Sequence, residues 1–159
     1  MTIRVEQTSN LRVADVMSQG AISVSVNSTM AEAADVLRSQ GVSGVPVVDE
    51  MGHCVGILST TDFAERFQNE HPASLGTEED SSYTITPPKS NAPMRVERFK
   101  ENSVRQHMHS AVQTVSADTS VIKAAKIMIG EHIHRLVVLD ETSRPVGMAS
   151  SLDLLKALE

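Results

Sequence analysis

Apolar and polar positions along the chain change period several times, and the changes come in the same order twice. Ile22–Val26 alternates, the period of a half-buried strand. Asn27-Ser28-Thr29 then supplies a helix start, with Thr29 and Glu32 spaced as a capping box. Met30, Ala33, Ala34 and Leu37 follow at helical spacing and make one narrow apolar face. Val45–Val48 and Cys54–Leu58 are β-type runs around an Asp/Gly turn at Asp49–Gly52, which predicts a hairpin. Thr60–Phe67 returns to helical patterning.

Shifting the chain by 91 positions lays Val13–Phe63 on Val104–Leu154 without a gap, with 13 identities in 51 positions. That marks an internal duplication. Gly56, Ser59 and Asp62 recur as Gly147, Ser150 and Asp153. In the second copy Gln113–Ala117 is the alternating strand, and Asp118-Thr119-Ser120 opens the helix, with Lys123 where the capping acid would sit. Leu136–Leu139 and Val146–Ala149 form the second hairpin, and Ser151–Leu158 the last helix. Short helical turns end at Met17 and Met108. Each copy reads β-α-β-β-α, too small to bury enough surface alone, so the copies are expected to pack together in the α/β (α+β) class. The organisation expected is one repeat over 10–68, an insert over 69–95 and a second repeat over 96–159. Pro87, Pro88 and Pro93 block regular structure in the insert, and Val96–Asn102 is a candidate helix.

Composition narrows the function. There is no tryptophan, one tyrosine and three phenylalanines, so the core must be aliphatic. A formal net charge of −6 argues against nucleic-acid or acidic-membrane partners. No run approaches the ~18 apolar residues of a membrane span. The N-terminal decapeptide has no apolar stretch, and the single cysteine, Cys54, suits a reducing compartment. A cytoplasmic protein is expected.

The repeated turn carries the candidate chemistry. A helix start exposes unpaired N–H groups and partial positive charge. Ser59 or Ser150 can cap that helix or donate to a ligand. Asp62 and Asp153 fall in the first helical turn, either as dipole-favoured acids or as acceptors for two vicinal hydroxyls.

Ala14-Asp15-Val16-Met17, Gly44–Asp49 and Gly56–Asp62, with His134–Asp140 and Gly147–Asp153 in the second copy, resemble the CBS (cystathionine β-synthase) domain. The resemblance covers both repeats and leaves out the N-terminal arm and the insert. It implies a pair of repeats packed through their sheets about a pseudo-two-fold axis, a Bateman module, which often pairs again as a homodimer. It also implies clefts for adenosine-containing ligands: AMP, ADP or ATP first, with S-adenosylmethionine or NAD behind them, and no required cofactor. Asp62 and Asp153 would then hold ribose hydroxyls of two ligands, with Ser59 and Ser150 beside ribose or phosphate. Ile22 and Ser23, with Gln113 and Thr114, would border adenine, as would backbone near Val45 and Leu136. His134 and Arg135 resemble the pair that contacts phosphate. The first copy has Ser43-Gly44 there, so the two clefts should differ and the second copy should hold phosphate better.

Other chemistries fit less well. His107 with His109, and His132 with His134, are spaced to point apart, so no metal site is expected. Cys54 opens a strand as a small core residue. No nucleophile stands beside a base, and no phosphate loop occurs, so no enzyme is expected. The function expected is regulation through nucleotide binding, relayed to an unidentified effector protein. The alternative is a ligand-free dimerisation scaffold.

Overall fold

The computed structural model describes residues 10–64 and 102–157. The insert over 69–95, and Val96–Asn102 but for Asn102 itself, lie outside them. Helix α1 spans Val13–Val16 and strand β1 Ser18–Gln19. They are followed by β2 (Val24–Ser25), α2 (Met30–Gln40), β3 (Gly44–Val48) and β4 (Cys54–Ser59), after which residues 60–64 are helical. A 3-10 turn at Val104–Gln106 opens the second copy. Then come β5 (Thr114–Ser116), α3 (Val121–Gly130), β6 (Arg135–Leu139), β7 (Pro145–Ser150) and α4 (Ser151–Lys156).

Both copies build the expected unit. β2 runs parallel to β3, which pairs antiparallel with β4, and β5, β6 and β7 repeat the arrangement. β2 and β5 are shorter than the alternating runs at 22–26 and 113–117, since only Val24–Ser25 and Thr114–Ser116 pair with β3 and β6. Thr29 and Glu32 close both bonds of the capping box on α2. Ser120 caps α3 alone, because Lys123 offers no acceptor there. Asp49 and Asp140 hold the hairpin turns by accepting backbone N–H bonds, from Met51 and His53 in one and from Thr142 and Arg144 in the other.

The copies exchange their leading arms. Val13, Val16 and Met17 pack in the core of the second repeat with Val115, Val121, Leu136 and Ala149. Val104 and Met108 pack in the first, with Val24, Met30, Leu37 and Leu58. The exchange is symmetric in its hydrogen bonds. Val13 N–H donates to Thr119 O and Val104 N–H to Ser28 O, each at 2.8 Å. Arm carbonyls satisfy the opposite helix starts: Leu11 O accepts from Val121, and Asn102 O from Met30. β1 then adds to β7, pairing Ser18 with Met148, while His109 bridges Ile57 at the equivalent place. Each core therefore needs residues from both copies.

The repeated glycine makes this crossing possible. A Cβ on Gly147 would lie 2.6 Å from Ser18 O and 3.1 Å from Met17 Sδ. On Gly56 it would lie 2.5 Å from Met108 Sδ and 3.1 Å from His109 O. A side chain at Gly147 would meet backbone first, and one at Gly56 the Met108 side chain.

Candidate functional site

β4 and β7 each end where a helix begins, and the serine of the repeated turn sits at that junction. In the second copy Ser150 N–H and Oγ–H donate to Asp153 Oδ2 at 2.9 and 2.7 Å, and Ser150 Oγ accepts from Asp153 N–H. In the first, Ser59 N–H and Oγ–H donate to Asp62 Oδ2 at 2.6 and 2.9 Å. Both carboxylates are buried, the two buried charged side chains among the described residues. Their Oδ2 atoms are used by the turn itself, so any further recognition falls to Oδ1.

The two Oδ1 atoms meet different partners. Asp153 Oδ1 accepts from Lys156 Nζ, one helical turn on, at 2.9 Å. Burial pushes the Asp153 carboxyl up, but the bonds from Lys156 and Ser150 outweigh it and hold it below its ordinary value. Asp62 Oδ1 is bonded at 2.7 Å to His109 Nε2, which comes from the arm of the other copy. Sequence reasoning missed His109, having weighed it only as a metal ligand beside His107. No local signal marks it, because its position depends on the crossing.

Arg135 starts β6 opposite Ser150. Its guanidinium reaches across to donate to Ser43 Oγ and lies 4.0 Å from where a Cβ would stand on Gly44. Gly44 in turn pairs with Ser59. The cation that the first copy lacks in sequence is thus present there in space, lent by the second. His134 is exposed, and its carbonyl accepts from Ser151 N–H. Val45 and Leu136 are fully buried, so only their backbone could face a ligand. Ile22, Ser23 and Gln113 are exposed on the segments that enter β2 and β5, and Thr114, also exposed, opens β5. A separate hollow of about 250 Å³ lies at the far end of β3, where Asp49, Glu50 and Met51 face Arg105. It is remote from both Ser–Asp turns, and its two acids suit an anionic ligand poorly.

Fold and turns together define a paired-repeat module with two quasi-equivalent Ser–Asp turns. The CBS domain family model matches residues 13–69 and 104–159, and the chain belongs to that family. It is similar to MJ1232 of Methanocaldococcus jannaschii, 26% identical over 154 residues, which cover 97% of this chain and 42% of that protein. Among solved structures, the CBS domain pair of protein MJ0100, in complex with 5′-methylthioadenosine and S-adenosyl-L-methionine, superposes with a TM-score of 0.69. Identity there is 23%, over 92% of this chain and 94% of that one. CBSX2 in complex with AMP gives a TM-score of 0.67 at 18% identity, over the same shares of the two chains. No helix among the described residues is long and apolar enough to cross a membrane.

Proposed function

We propose that this chain is a regulatory module that binds adenosine-containing ligands, of the AMP, ADP or ATP class, in the clefts beside Asp62 and Asp153. The observation that carries the reading is the doubled Ser–Asp turn: two buried carboxylates, each with one oxygen locked and the other turned to an exposed side chain, His109 or Lys156. A ribose diol is a suitable donor for that second oxygen, at roughly 1.5–3 kcal/mol for a hydrogen bond to a charged group. Arg135 offers a planar fork for a phosphate between the copies. Similar folds hold AMP in one case and 5′-methylthioadenosine with S-adenosyl-L-methionine in another.

Ligand bound between parts of both copies stabilises one arrangement of the repeats over another, which is how occupancy would reach an effector protein or a second copy of the chain. Thermal unfolding with AMP, ADP, ATP, S-adenosylmethionine and NAD tests the reading. Ligand at one hundred times its Kd adds about 2.7 kcal/mol and raises Tm by several degrees. No shift with any of them at millimolar concentration contradicts it. One observation favours the scaffold alternative: His109 and Lys156 already satisfy the Oδ1 atoms within the protein.

A further inference from the structure

The two buried carboxylates take their Oδ1 partners from opposite sources. In the second copy the partner is local: Lys156 extends from the same helix as Asp153, and its side chain is 65% exposed. Its counterpart 91 residues earlier is Glu65, an acid, which cannot serve Asp62 in the same way. In the first copy the partner comes from the crossing arm, and the counterpart of His109 is Ser18, which has no cationic side chain. Among the described residues, each turn thus has an Oδ1 partner that the other lacks.

We infer that His109 is a clasp that occupies the ligand-facing oxygen of Asp62, so that a ligand enters this cleft only by displacing the arm's imidazole. The inference rests on the reading given under Proposed function. Asp62 is 3% exposed at its side chain, and its Oδ2 is saturated by the two donors of Ser59. A diol must therefore address Oδ1, where His109 Nε2 sits at 2.7 Å. The imidazole donates through Nε2–H as the neutral tautomer or as the cation, so the clasp does not depend on charge. His109 itself is 62% exposed and free to swing outward.

Its backbone is fixed differently. It exchanges two bonds of 2.9 Å with Ile57, and Met108 fills the space over Gly56. Displacing the imidazole therefore loosens the side-chain hold of an arm whose Val104 belongs to the first repeat's core. In the Asp153 cleft a ligand competes, among the described residues, with Lys156 of the same helix, and the arm carrying Ser18 is untouched. Occupancy of the Asp62 cleft is thus coupled to the crossing of the copies, and occupancy of the Asp153 cleft is not.

Calorimetry with adenosine on Asp153→Ala, which leaves the Asp62 cleft alone, isolates the effect, with Asp153→Asn in its place should the alanine variant fail to fold. Adding His109→Ala should tighten adenosine roughly tenfold or more, the value of one hydrogen bond to a charged group. Equal or weaker binding overturns the clasp. In the unliganded protein, Asp62→Ala, which removes the acceptor, should speed amide exchange at His109 and Ile57 but not at Gly20, which lies on the other arm. Unchanged exchange at His109 and Ile57 also overturns it. If adenosine binds no variant and not the wild type, the nucleotide reading falls and the gating with it, whereas binding that ignores His109 removes the gating alone.

Discussion

Ser18 O stands 2.6 Å from the point where a side chain on Gly147 would begin. The glycine of the repeated turn is therefore required by the neighbouring copy's arm, independently of any ligand. Gly147→Ala must push backbone aside and should cost about 1–3 kcal/mol, the range for overpacking. Gly56→Ala should cost less, since the nearest atom there is the flexible Met108 Sδ. Urea midpoints for the two variants check the order, and a neutral Gly147→Ala contradicts the crossing of the arms.

Left-handed backbone recurs at matched positions in the two copies. Gly41 and Gly52 have φ of 63° and 84°, and their counterparts His132 and Ser143 have φ of 54° and 62°. A side chain in that region costs about 1–2 kcal/mol, partly offset by the greater freedom that glycine has when unfolded. Ser143→Gly should therefore stabilise the protein by up to about 1 kcal/mol, measured as an increase in Tm. A lower Tm contradicts the strain.

The acid limb of stability should report Asp153. Its folded carboxyl ionises below the ordinary value of 3.8, so the ionised form stabilises the fold at neutral pH. That contribution is lost as pH falls from the ordinary value through the folded one. Asp153→Asn should lower stability at neutral pH and flatten the decline on acidification. Asp49 and Asp140, lowered chiefly by backbone bonds from His53 and Arg144, decline in the same direction in both proteins. A parallel acid limb in the variant contradicts the assignment to Asp153.

Arg135 should act on phosphate from the first copy's side. With only the Asp62 cleft left, in Asp153→Ala, Arg135→Ala should weaken AMP by roughly tenfold and adenosine little. Equal losses for both ligands remove Arg135 from the phosphate. A loss confined to the Asp62→Ala background returns Arg135 to the second copy's cleft, where its sequence position alone would put it.

What was legible in the sequence is what local chemistry decides. Thr29 with Glu32, the Asp49 and Asp140 turns, and the Ser–Asp spacing all act within four residues, and the structure keeps each of them. The duplication made the fold readable, because a pattern seen twice excludes accident. It also hid the crossing. Val13, Met17, Val104 and Met108 are matched between copies, so each would fill its own core or the other's equally well. For the same reason Arg135 read as a second-copy residue and His109 as one of a histidine pair that chelates poorly. Both act between copies, where a one-dimensional period carries no information.

The central claim is that the two Ser–Asp turns each recognise a separate ligand. Calorimetric stoichiometry with AMP, on the wild type and on Asp62→Ala and Asp153→Ala, addresses it most directly. Each single variant should lose a different binding event and leave the other, and the double variant should bind nothing. Stoichiometry and affinity unchanged in both single variants would contradict the account and leave the two carboxylates as helix caps alone.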